Sequence, residues 1–174
     1  MLATLNPAEH HGIYPLPEGQ LDRFMLATSL GYPGFEDELQ MLGSHVARHP
    51  IDDLAPVFTP EAVVTLAREV RAVFVSEAVR RYALQIIART RTAPGVLLGC
   101  SPRAGIALLR AAQARAAMAG RTFVLPDDIK ALAVPVLAHR MLVRPEAGPA
   151  AGIITTLLQE LQAPPEIQST RARL

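Results

Sequence analysis

Residues 99–126 read GCSPRAGIALLRAAQARAAMAGRTFVLP, and this stretch decides the fold. Ser101 and Pro102 are the pair that opens a helix, an N-cap side chain followed by the residue whose φ is already helical. Alanine and leucine then recur until Gly120, a residue suited to stop a helix. Leu108, Leu109, Ala112 and Ala116 fall on one face of this helix, so it is expected to bury small side chains against its neighbours. Arg103 lies in its first turn, where a cation opposes the helix dipole by roughly 0.3–1 kcal/mol, so something should offset it. The free N–H groups of that turn and Arg103 together suit an anion; the plain alternative is a solvated arginine. Gly105 removes side-chain bulk close by.

Working outward, the same helical grammar continues on both sides. A helix over about 126–139 would bury Ile129, Leu132, Ala133, Val136 and Leu137, and a last one would cover 153–161. Upstream, a helix over about 76–90 carries Val79, Tyr82, Ala83 and Ile86 on one face. Thr59-Pro60 starts another, with Val63, Leu66, Ala67 and Val70 as its buried stripe. Phe35 to Arg48 reads as a helix with Phe35, Leu39, Leu42 and Val46 inward and acids in the first turn. MLATL (1–5) and FMLATSL (24–30) read as short buried strands, joined by the long loop NPAEHHGIYPLPEGQLDRF (6–24). Two strands alone make no stable sheet, so this front piece looks like part of a larger one.

Composition narrows the function. Of 174 residues half are hydrophobic and the net charge is +1, which gives no electrostatic case for nucleic acid or an anionic membrane. Sixteen arginines stand against one lysine, either a compositional habit or a preference for fixed phosphate and carboxylate contacts. Cys100 is the single cysteine, no apolar run reaches membrane-spanning length, and the start turns polar too soon for a signal peptide. A cytoplasmic protein is expected. Glu9, His10 and His11 could suggest a metal, but adjacent loop side chains diverge and no further ligands have fitting spacing. His45, His49 and His139 lie near helix ends, where capping or surface roles are expected. Arg80-Arg81, Arg110 and Arg115 read as solvated faces, in part subunit contacts.

ATLNP (3–7), GIYPLPEGQLDRF (12–24), GYPGFEDEL (31–39) and the run from Val96 to Arg140 together resemble the MoxR family of AAA+ ATPases, and more weakly the magnesium-chelatase ATPase subunits. The resemblance covers nearly the whole chain. It implies a mainly α fold: a helical AAA+ lid bundle (33–174) preceded by the last strand-loop-strand piece of an α/β AAA+ core (1–32). By the same resemblance Asn6 matches sensor 1, which orients the attacking water. Arg23 matches the arginine finger that acts in trans on a neighbouring subunit. Arg103 matches sensor 2 and Ser101 sits with it at the nucleotide. ATP and Mg²⁺ are implied for the complete enzyme, as are a homo-oligomeric ring, chaperone-like remodelling of clients and partners with a von Willebrand factor A domain.

The departure from the family is as informative. No G-x-x-x-x-G-K-[ST] occurs, and neither Asp52-Asp53 nor Asp127-Asp128 ends an apolar strand as Mg²⁺-holding acids would. The chain therefore looks like a C-terminal sensor and lid portion that does not hydrolyse ATP alone. The alternative is a stand-alone helical protein-interaction module without ATPase chemistry; a DNA-binding helical domain lacks a clustered basic helix.

Overall fold

Thr59 and Ser76 set the frame of the helical half by capping two successive helices: each side-chain oxygen accepts the N–H three residues on. The computed structural model describes residues 2–4, 17–45, 51 and 54–164. In chain order the elements are α1 (Glu18–Leu21), α2 (Phe35–His45), α3 (Pro60–Ala72), α4 (Glu77–Thr90), β1 (Val96–Leu98), α5 (Pro102–Met118), α6 (Pro126–Leu137), β2 (Leu142–Val143) and α7 (Ala150–Glu160). A 3₁₀ turn, Ala138–Arg140, continues from α6. The protein is mainly α, as expected for a helical lid bundle.

The core lies where α4, α5, α6 and α7 meet. Tyr82, Ile86 and Ile87 of α4, Leu108 of α5, Ile129, Val136 and Leu137 of α6 and Ile154 of α7 are fully enclosed. The α5 contribution is mostly alanine, with Ala104, Ala107, Ala111, Ala112 and Ala116 all buried. Small side chains let the helices on either side approach closely. Gly105 serves the same packing, since a Cβ there would stand 3.1 Å from Ile87 Cδ1. α5 ends as expected: Gly120 takes a φ of +69°, and its N–H and that of Arg121 return to the carbonyls of Ala117 and Ala116.

Several expectations need correction. Residues 2–4 and 24–30 form no strand and are largely exposed, because no neighbouring strand among the described residues offers its backbone. The strands that do form are β1 and β2, an antiparallel pair that registers Val96 with Val143 and Leu98 with Leu142. A parallel bridge joins Phe74 to Phe123. The expected inward stripes of α2 and α3 are not buried: Phe35, Leu39, Leu42, Val63 and Leu66 are all exposed. Their 3.6-residue period marks an apolar face correctly, but nothing among the described residues covers it. Val46, Arg48 and His49 lie outside the described residues.

Candidate functional site

The start of α5 is short of negative charge. Ser101 occupies the N-cap and Pro102 the first helical position, but the first turn holds no acid. Ser101 does not cap with its side chain, contrary to the usual role of an N-cap serine. Its hydroxyl instead donates to both carboxylate oxygens of Asp22, at 3.1 and 3.2 Å. A residue seventy-nine positions earlier in the chain thus supplies the anion that the helix lacks. Arg103 Nη1 stands 3.9 Å from the same carboxylate, with its side chain 58% exposed. That arrangement answers the cost of a cation in the first turn: a carboxylate sits beside it.

Arg140 is what fixes Asp22 there. Its side chain is 1% exposed, and Nη1 donates both to the Asp22 carboxylate (3.0 Å) and to the Asp22 carbonyl (2.9 Å). Nη2 donates to the carbonyls of Phe24 and Met25. One planar guanidinium therefore holds four acceptors of the turn from Asp22 to Met25. Nε of Arg140 is buried without a partner. Two residues after Met25, Ala27 donates its N–H to the Pro135 carbonyl at 2.9 Å, which satisfies one of the carbonyls that α6 leaves open at its C-terminal end. A cation after that helix end is also favoured by the dipole.

His139 completes the clamp. Its Nε2 lies 3.2 Å from the Phe24 carbonyl, which can only accept, so Nε2 carries the proton. Burial lowers the His139 pKa, and the nearby Arg140 pushes it the same way against the Phe24 hydrogen bond, so the ring is neutral at neutral pH.

The chain around Cys100 is equally constrained. The Cys100 N–H donates to Thr90 Oγ1 (3.0 Å), its carbonyl accepts from Arg91 Nε (2.9 Å), and burial pushes its thiol pKa up. A protonated, enclosed thiol is inert. Gly99 before it is required sterically: a Cβ would meet Arg91 Cα at 2.6 Å and Arg91 N at 2.7 Å.

Of the residues singled out from sequence, Ser101 and Arg103 stand together and Arg23 follows Asp22 directly, exposed at the turn. Asn6, Glu9, His10, His11 and Asp52-Asp53 lie outside the described residues. Among the described residues no group of three or more His, Cys, Asp or Glu side chains could hold a metal ion, and no helix is long and apolar enough to cross a membrane. Sequence reasoning missed Asp22 and Arg140. The signal was present in both: an arginine closing a strongly apolar helix, and a lone acid next to the exposed arginine of a long loop.

A second buried charge cluster holds the far end of α5. Asp128 accepts from Arg121 through both oxygens at 2.7 Å and from the Leu125 N–H at 2.8 Å, while Arg115 Nε stands 3.3 Å away. Burial alone would raise the Asp128 pKa, but the hydrogen bonds and charge of Arg121, with the Leu125 N–H and Arg115, outweigh it and hold the carboxyl below its ordinary value. Arg115 is therefore more than a solvated face.

Residues 88–160 match the AAA lid domain, and residues 1–26 match the ATPase family associated with various cellular activities (AAA). The uncharacterized protein YeaC of Bacillus subtilis (strain 168) is 42% identical, over 98% of this chain and 55% of its own length. Chaperone MoxR1 of Mycobacterium tuberculosis is 31% identical, over 84% of this chain and 41% of its own. A crystal structure of a candidate ATPase from Cytophaga hutchinsonii superimposes with a TM-score of 0.80 at 32% identity, covering 90% of this chain and 52% of that one. The chain spans about half the length of the curated relatives it matches. On these matches, which follow both the front segment and the helical bundle, the chain belongs to the MoxR family of AAA+ ATPases.

Proposed function

We propose that this sequence is the sensor and lid portion of a ring-forming MoxR-type ATPase, and that it does not hydrolyse ATP by itself. In this reading residues 1–32 close the nucleotide-binding core and 33–174 are the lid. Asn6 orients the attacking water, Arg23 is the arginine finger, and Arg103 with Ser101 holds phosphate. ATP and Mg²⁺ bind in the complete enzyme, whose phosphate-cradling loop and Mg²⁺-holding acids are not in this sequence. The ring works in the cytoplasm as a chaperone-like remodeller, with von Willebrand factor A-domain proteins as partners.

The observation that supports this reading is the Asp22 clamp. Asp22 bonds Ser101 and lies beside Arg103, and Arg23 is the next residue in the chain. Two exposed arginines of one chain are thus brought to one end of α5. Phosphoryl transfer is catalysed mainly by positioning and by neutralising the γ-phosphate, and an arginine supplied in trans is worth roughly 10³–10⁵ in rate. Arg23 is placed to act in trans on the phosphate of the neighbouring subunit, and Arg103 carries the lid's contact to nucleotide.

The purified chain should show no Mg²⁺-dependent ATP turnover. In rings whose subunits join this sequence to a P-loop core, Arg23→Ala should abolish turnover and leave nucleotide affinity nearly intact, because its contact is made as charge develops. Arg103→Ala should weaken both. An interaction-only module predicts that both substitutions are silent, and that outcome would discard the ATPase reading.

A further inference from the structure

Away from the clamp, a cleft of about 550 Å³ opens where the end of α3, the start of α4 and the middle of α5 meet. Its floor is built: Gln113 Nε2 donates to the carbonyls of Arg71 (3.2 Å) and Val73 (2.8 Å), which ties α5 to the last turn of α3 and the residue after it. Phe74 and Ile106 line it with exposed apolar side chains, and Arg71, Arg80 and Arg110 surround them. The lining holds no acid, and among the described residues these three arginines make no ion pair. A basic rim around an apolar floor fits an acidic helix that carries an apolar stripe.

The chain itself presents such a helix. At about 100° per residue, Phe35, Leu39 and Leu42 of α2 form one stripe, with Glu38 on one side of it and Glu36 on the other. These apolar side chains are exposed, and Glu36, Asp37 and Glu38 make no ion pair among the described residues. α2 contains no lysine or arginine. Cleft and helix are complementary in charge and in apolar pattern. We infer that the arginine-rimmed cleft of one copy receives α2 of a second copy. The two surfaces differ, so the contact is heterologous and passes from copy to copy, closing into a ring or extending as a filament. The inference stands apart from the ATPase reading and does not require it.

Charge exchange tests it on the chain as it is. By sedimentation equilibrium the chain should self-associate reversibly, more weakly as salt rises. Arg80→Glu with Arg110→Glu should weaken association at least tenfold, about 1.4 kcal/mol, and so should Glu36→Arg with Glu38→Arg. All four positions are on the surface, so circular dichroism and melting of each variant should match the parent. Mixing the two variants should restore association, because the reversed cleft then meets the reversed helix. A synthetic peptide of residues 34–45 should bind the parent chain and lose affinity for the variant with the reversed cleft, whereas a scrambled peptide should not bind. A chain that stays monomeric at every concentration, or a mixture that fails to associate, would overturn the proposal.

Discussion

Replacing Arg140 with methionine should free the segment from Asp22 to Ala27 while the helical bundle stays folded. Methionine keeps most of the buried aliphatic volume and removes the guanidinium. The Asp22 carboxylate then retains only Ser101 and the 3.9 Å approach of Arg103, the carbonyls of Asp22 and Met25 lose their donor, and that of Phe24 keeps only His139. Breaking a buried ion pair by removing one partner costs about 3–5 kcal/mol. Asp22 is 24% exposed and can take up water, so the lower end, about 3 kcal/mol, is the expected cost. That is enough to shift docking of the segment about a hundredfold, since each 1.4 kcal/mol is a factor of ten. Hydrogen exchange at the Ala27 amide reads it directly, because its N–H is held by the Pro135 carbonyl. Amides in the middle of α5 should keep their protection. Arg140→Lys should recover little, because one ammonium cannot span four acceptors. A double-mutant cycle of Arg140→Met with Asp22→Asn should give a coupling above about 1 kcal/mol. Unchanged Ala27 exchange, or a coupling near zero, would show that the turn is held by something other than this clamp.

Two further outcomes follow from the same structure. Arg121→Ala should destabilise the bundle by about 3 kcal/mol by leaving the buried Asp128 carboxylate with only the half-exposed Arg115 and the Leu125 N–H. Because the folded Asp128 pKa lies below 3.8, its contribution is complete above that value and is lost as pH falls through the lower folded value; urea titrations of the parent and of Asp128→Asn should show that the acid slope belongs to this group. Gly99→Ala should cost at least about 1–3 kcal/mol in thermal unfolding, since its Cβ would overlap the Arg91 backbone and no side chain can move aside.

The helices were legible because each carries local instructions. Thr59-Pro60, Ser76 and Gly120 punctuate the chain through their own backbone chemistry, and the apolar spacing of α4, α5 and α6 gives their inner faces directly. Burial in α2 and α3 was misjudged for a physical reason: periodicity shows that a face is apolar, not what covers it. The strands failed in both directions. A run such as FMLATSL has the composition of a strand, but its backbone groups were committed to Arg140, His139 and α6, which no local pattern reveals. Val96–Leu98 is too short to signal a strand without knowing that Leu142–Val143 returns beside it. Ser101 and Arg103 were legible through the helix start, whereas Asp22 and Arg140 are joined only by tertiary structure, across 118 residues.

The charges of the clamp do not cancel. Among the described residues Asp22 is the one carboxylate at the start of α5, and it is satisfied first by the enclosed Arg140, whose bond to it is 3.0 Å, and by Ser101. Arg103 approaches it only to 3.9 Å and remains mostly in solvent, and Arg23 is exposed beside it. At this distance and exposure the Arg103 contact is worth at most about 1 kcal/mol, so a stronger anion could displace it without disturbing the buried pair. The buried arginine thus has a structural role, and because one carboxylate serves both it and Arg103, the group of Arg23, Arg103, Arg140 and Asp22 keeps a net charge of +2. Together with the N–H groups of α5, that group leaves two positive charges in excess at one surface. A neutral ligand gains little there, and a single carboxylate would neutralise half of that charge. In the proposed reading the anion is phosphate, and the clamp serves it by position: without the bonds of Asp22 to Ser101 and Arg140, the turn that carries Arg23 would not be held against the start of α5.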